Sequence, residues 1–135
     1  MQVKGKIWIW AAVAALIAFI VGYRYFLSGL SFECGNNVLA EATSPDDRYT
    51  ATVFERNCGA TTPYTRIVSI RRRESRFDSE DQKTWVFVAK DQPSIKIRWS
   101  SIRQLDVAAE GYSRTPREQQ LRMARWEDID VVSAN

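Results

Sequence analysis

From Ile7 to Tyr23 the chain runs seventeen residues without a formal charge, and no other segment resembles it. A run this apolar must leave water, and the 108 residues from Ser28 onward are polar enough to form one separate domain with a modest core. Extended through Arg24 to Leu27, the segment spans about 31 Å as an α-helix, one bilayer crossing with Arg24 snorkelling to the interface. Trp8 and Trp10 at one end and Tyr23 and Tyr25 at the other match interfacial belts. Lys4 and Lys6 precede the run and only Arg24 lies near its far end, so the positive-inside rule puts the N-terminus in the cytoplasm. The expected organisation is residues 1–6 cytoplasmic, 7–27 transmembrane, 28–37 linker and 38–135 an extracytoplasmic domain. A cleaved signal peptide ending near Gly29-Leu30-Ser31 is the alternative; Arg24 and the two tyrosines, which interrupt that region, weigh against it.

Charge and residue usage exclude several function classes. The chain carries 19 basic and 16 acidic residues, a net charge of +3, and Lys4, Lys6 and Arg24 all belong to the apolar segment and its flanks. The domain beyond is therefore neutral and has no field to gather a polyanion, so no nucleic-acid partner is expected. Histidine is absent, which removes Cys-His and Ser-His catalytic pairs and any histidine-ligated metal. The adjacent carboxylates Asp46-Asp47, Glu80-Asp81 and Glu127-Asp128 lie in turn-like or charged stretches and read as solvation. We expect no catalytic residues, no metal and no cofactor.

Cys34 and Cys58 are the only cysteines, and both follow the apolar run. An even count there fits a disulfide in an oxidising compartment, whereas two unrelated buried thiols would fit the cytosol. A bridge would close a loop of about 25 residues.

The domain reads as strands. Tyr49, Ala51 and Val53 alternate with Thr50, Thr52 and Phe54, and Trp85, Phe87 and Ala89 with Val86 and Val88. Ile95, Ile97 and Trp99 alternate with Lys96 and Arg98, then Ser100-Ser101 leads to Leu105 and Val107, a hairpin with one wet face. Ser44-Pro45-Asp46-Asp47 has type I turn chemistry and should join Val38–Ala42 to Tyr49–Arg56. Tyr64–Arg73 adds a strand, the polar stretch Arg73–Lys83 reads as an exposed loop, and Pro116–Leu121 as a short helical turn. A last strand between Leu121 and Val132 should break near Trp126–Asp128. The fold class is thus mainly β, an N-terminal transmembrane helix followed by a small antiparallel β-meander of six or seven strands.

The densest signature runs from Cys34-Gly35-Asn36 through Ser44-Pro45-Asp46 to Arg56-Asn57-Cys58-Gly59-Ala60-Thr61-Thr62. It resembles a family of small, functionally uncharacterised bacterial proteins, membrane-anchored or lipoprotein-like, with a Ser-Pro-Asp turn and an Arg-x-Cys-Gly-Ala-Thr-Thr segment. The Trp99–Val107 hairpin is also similar to theirs, while Pro63 stands where they commonly have glycine. The resemblance implies location and fold, the bacterial inner membrane crossed once, and brings no activity.

Three surfaces are candidates for binding. Arg56, Gly59, Thr61 and Thr62 would form a small polar cradle, with a purely structural loop as the alternative. Arg71-Arg72-Arg73 with Arg76 would meet anionic headgroups or an acidic partner, unless Glu74, Asp78, Glu80 and Asp81 neutralise them. Ala14, Ala18 and Gly22 form a small-residue stripe on the helix, through which two copies would pack as a homodimer, unless alanine is mere filler. The lipid bilayer and another envelope protein are the expected partners. The expected role is recognition of a protein, with an immunity-type protein against a toxin or an accessory subunit of an inner-membrane complex as alternatives.

Overall fold

The computed structural model describes residues 3–29, 33–110 and 119–134. They form two compact units, a helical one ending at Glu33 and a β unit beginning at Cys34. In the first, α1 spans Val3–Ser28, four residues earlier than the apolar run alone would place it. Lys4 and Lys6 are good helix formers and extend it. Its Gly5–Ser28 window has a mean hydropathy of 2.0 and is long and apolar enough to cross a membrane. Apolar residues cover every side of α1 rather than one stripe, which suits a helix surrounded by lipid. At its end the Gly29 N–H and the Ser28 hydroxyl both donate to the Tyr25 carbonyl.

The second unit is built from strands β1 (Gly35–Thr43), β2 (Tyr49–Asn57), β3 (Thr65–Arg72), β4 (Trp85–Lys90), β5 (Ser94–Ser101), β6 (Gln104–Glu110), β7 (Gln119–Leu121), β8 (Arg125–Trp126) and β9 (Ile129–Ala134). The mainly β architecture after an apolar helix is as expected, with somewhat more strands than six or seven. They form two sheets in the orders β1-β2-β3-β4-β7 and β5-β6-β9-β8. The first is an antiparallel meander. The second contains one pairing the alternation pattern does not reveal, β6 parallel to β9. β1 begins at Gly35, inside the stretch 28–37 expected as a linker. Gln119–Leu121 is a strand on the edge of β4 rather than part of a helical turn, because its backbone completes the β4 ladder; the rest of that expected turn lies outside the described residues.

Local chemistry fixes the turns. Between β1 and β2 the Asp47 N–H donates to the Ser44 carbonyl at 2.9 Å, and the buried Ser44 hydroxyl accepts from the Tyr49 N–H while donating to Asp46. Asp47 takes the left-handed conformation, φ 62°, that Asp tolerates well. The β5–β6 turn falls at Ile102-Arg103, two residues later than expected, since Ser101 still pairs with Gln104. The break near Trp126–Asp128 is the tight β8–β9 turn, with Glu127 at φ 50°.

Between the sheets lies the main core. Ala51, Val53, Val68 and Ile70 of the first sheet face Leu105, Val107, Ile129 and Val131 of the second. Ile95, Ile97 and Trp99 pack against it half-buried, while Lys96 and Arg98 face water, as the alternation predicts. The sheets are also stitched by polar bonds: the Trp99 indole N–H donates to the Ala42 carbonyl, and the Tyr49 phenol to Asp128 at 2.8 Å.

That last bond holds the Asp128 carboxyl below the usual carboxylate range and raises the Tyr49 phenol above its ordinary value. Asp46, Glu80 and Asp106 are also held low, chiefly by hydrogen bonds from Ser44, Arg56 and Gln104. A carboxylate with a depressed folded-state pKa stabilises fully above its unfolded value and loses that stabilisation as pH falls through the folded one. The unfolding midpoint is therefore expected to hold at neutral pH and fall below about pH 4. Tyr49→Phe should shrink the acid-dependent part, measured by denaturant titration across pH; an unchanged acid slope would mean Asp128 contributes nothing.

Candidate functional site

Alternate residues of β2 and β3 that do not enter the main core point to the other face of the first sheet: Phe54 and Arg56, then Ile67, Ser69 and Arg71. Left bare, this face would expose Phe54 and Ile67, both fully buried in the fold. The β3–β4 connection, rich in charge, lies across it. Phe77 packs against Phe54 with ring centroids 5.2 Å apart, and Trp85 and Ile67 complete a second cluster. Arg56 clamps the connection: its guanidinium binds both Glu80 oxygens at 2.6 and 2.8 Å, reaches the Ser79 carbonyl and lies over the Trp85 ring. The stretch expected to be a plain exposed loop is thus a cover held at two points. Arg56→Ala should free it, and trypsin should then cut at Arg73 or Arg76 severalfold faster at native pH; equal cutting rates would show that the clamp is not what holds it.

Between this cover and the β8–β9 turn is a cavity of about 280 Å³ whose wall includes Ser69, Arg71, Arg76, Phe77 and Trp126. Ser69 is 1% exposed and its hydroxyl has no hydrogen-bond partner; the buried Nε of Arg71 has none either. The rest of the Arg71 guanidinium is engaged, one nitrogen with Glu41 at 3.0 Å and the other with the Ser75 carbonyl. Glu41 also accepts from the Thr52 hydroxyl, so a polar row crosses β1, β2 and β3. The arginine run is neutralised, but not by its sequence neighbours. Arg72 pairs with Glu127 and Arg73 with Asp47, partners that only the folded sheets bring within reach. The Glu127 bond raises the Arg72 pKa further above its already high value.

Cys34 and Cys58 are joined in a disulfide. Gly35 pairs with Asn57, so the bridge closes the β1–β2 hairpin at the end opposite its turn. Beyond it Gly59 takes φ +115°, which a side chain would strain. The Gly59 N–H donates to the Asn57 side chain and the Thr62 N–H to the Gly59 carbonyl, so these loop donors are consumed locally. Thr61 and Thr62 are exposed, and Arg56 is bound to Glu80 on the sheet face. Of the four residues expected to form a cradle, Gly59 and Thr62 are joined by a backbone bond and Arg56 is engaged with Glu80. Ala14, Ala18 and Gly22 lie along one side of α1, with open space beside Gly22.

A second concavity runs along the sheet edges. β1 is the terminal strand of its sheet and is exposed along almost its whole length, with Val38 at 46% and Leu39 at 42%. Beside it a groove of about 910 Å³, largely apolar, is bounded by Ala40 and Ala42 of β1 and Ile95 and Ile97 of β5. The Trp99 indole N–H bonds the carbonyl of Ala42, one of the residues that line it. A bulge at Leu39, between Val38 and Ala40, interrupts the ladder with β2. Pairing, burial and cavities of this kind depend on long-range register, which the period-two pattern alone does not carry.

A family model covers residues 4–111. The chain belongs to DUF5412, a family of unknown function. The part that matches DUF5412 takes in nearly all of α1, the disulfide hairpin and every strand through β6, whereas β7, β8 and β9 lie beyond it. The chain matches no curated protein and no solved structure.

Proposed function

We propose that this chain is a single-pass protein of the bacterial inner membrane that holds its β unit outside the cytoplasm and binds another envelope protein there. The observation that carries the reading is the exposed edge of β1 beside an apolar groove. A strand paired on one side only offers main-chain donors and acceptors to an extended segment of a partner, and adjacent apolar pockets select its side chains. Lipid has no such main-chain groups to offer, and the neutral domain has no field for a polyanion. Lys96, Arg98 and Asp106 mix both signs on the neighbouring face, which suits a segment of low net charge. The apolar helix and the Cys34–Cys58 bond support the location.

Photocrosslinkers placed at Leu39 and at Ile97 in the full-length chain, in intact cells, should trap one and the same protein, and Leu39→Lys should abolish capture at Ile97. Capture of unrelated proteins at the two positions, or none, would sink the binding reading. Alkylation of intact cells before and after reduction should find Cys34 and Cys58 protected until reductant is added. Free thiols in living cells would overturn the location.

A further inference from the structure

We infer that the cavity under the β3–β4 cover is a binding site for a small oxyanion, phosphate or carboxylate, held by the Ser69 hydroxyl and the Arg71 Nε–H, with Arg76 at its wall. The inference stands apart from the groove along β1 and uses none of its residues. It begins from the cost of leaving a buried donor unmade: such groups are nearly always partnered, and those that are not call for an explanation. Two residues that line this cavity each carry a buried side-chain atom without a partner, the Ser69 Oγ and the Arg71 Nε. Arg71 Nε has only a hydrogen to give, and a serine hydroxyl gives one readily. The group that satisfies both is an acceptor.

The pull on an acceptor comes from these two donors and not from net charge. The wall also carries Asp78, Asp81 and Glu127, but each is already supplied with a donor: Asp78 by the Glu80 N–H, Asp81 by the Lys83 N–H and Glu127 by Arg72. Arg76 has no ion-pair or hydrogen-bond partner among the described residues. What is left without a partner in the wall is therefore the two buried donors, while its charges, Arg71, Arg72 and Arg76 against Asp78, Asp81 and Glu127, balance. Phe77 and Trp126 supply apolar sides. A cavity of about 280 Å³ admits phosphate, acetate or the end of a larger acid. Arginine's planar guanidinium is also the side chain best matched to oxyanions.

The test uses the full-length chain in an uncharged detergent, with thermal midpoints read in sodium phosphate, sodium acetate and sodium chloride at matched ionic strength. Phosphate or acetate should raise the midpoint above chloride, since a ligand of the folded state stabilises it. A rise with phosphate alone assigns a phosphate source and a rise with acetate alone a carboxylate source. Ser69→Ala should weaken the affinity about tenfold or more while leaving the midpoint without anion unchanged or raised, because it removes a hydroxyl that has no partner. Arg71→Lys, which keeps the charge and loses the Nε–H, should weaken it similarly. No difference among the three salts overturns the proposal. So does an anion response that survives Ser69→Ala, or a lowered midpoint of that variant without anion, which would mean the hydroxyl is bonded within the fold.

Discussion

Phe54→Ala is expected to lower the unfolding free energy by about 3–5 kcal/mol, the range for removing a fully buried aromatic ring from a packed site. Phe54 is 0% exposed although it lies on the outward face of its sheet. Its ring meets Phe77 at 5.2 Å and Trp85 at 6.1 Å, and its backbone pairs with Val38 on one side and Ile67 on the other. Truncation leaves a hole that the ladder cannot close, since β1 and β3 fix the strand spacing. Phe77→Ala removes the partner ring from the connection, which can shift, so a smaller loss is expected there. Denaturant unfolding of both variants in detergent measures the difference. A Phe54→Ala loss under about 1 kcal/mol would mean that the second cluster is not packed.

Removing the Cys34–Cys58 bond, by the paired serine substitutions or by reduction, is expected to cost about 3.5 kcal/mol in the chain-entropy account for a loop of this size. The loss should begin at one place. β1 is an edge strand with a single hydrogen-bonding neighbour, and the disulfide closes the end of that pairing farthest from the Ser44–Asp47 turn. Amide exchange in Gly35–Val38 should therefore accelerate before that of β2 or β3. Uniform acceleration across the first sheet would show that the bridge acts only through the unfolded chain.

Much of the fold was legible because its signals are local. Ile95 to Trp99 alternates strictly, Ser44-Pro45 announces its turn, and an unbroken apolar run has few other uses. Two half-buried features were not. The cover over the first sheet carries a single large apolar residue, Phe77, too little for any periodic signal, and it is held by Arg56 and Glu80, 24 positions apart. The partners of the arginine run were hidden for the same reason: Arg71 and Arg72 are answered by Glu41 and Glu127, 30 and 55 positions away. Ser69 looks like any strand serine until its register under the cover is known.

The parallel pairing of β6 with β9 sets an order on biosynthesis. β9 lies between β6 and β8 and places Ile129 and Val131 in the shared core. A chain emerging N-terminus first can zip β1 through β4 as successive hairpins, yet the opposing layer stays unfinished until its final strand arrives. Until then the half-made domain would show the apolar side of β2 and β3 to its surroundings, and helper proteins that shield nascent chains have their opportunity in that interval.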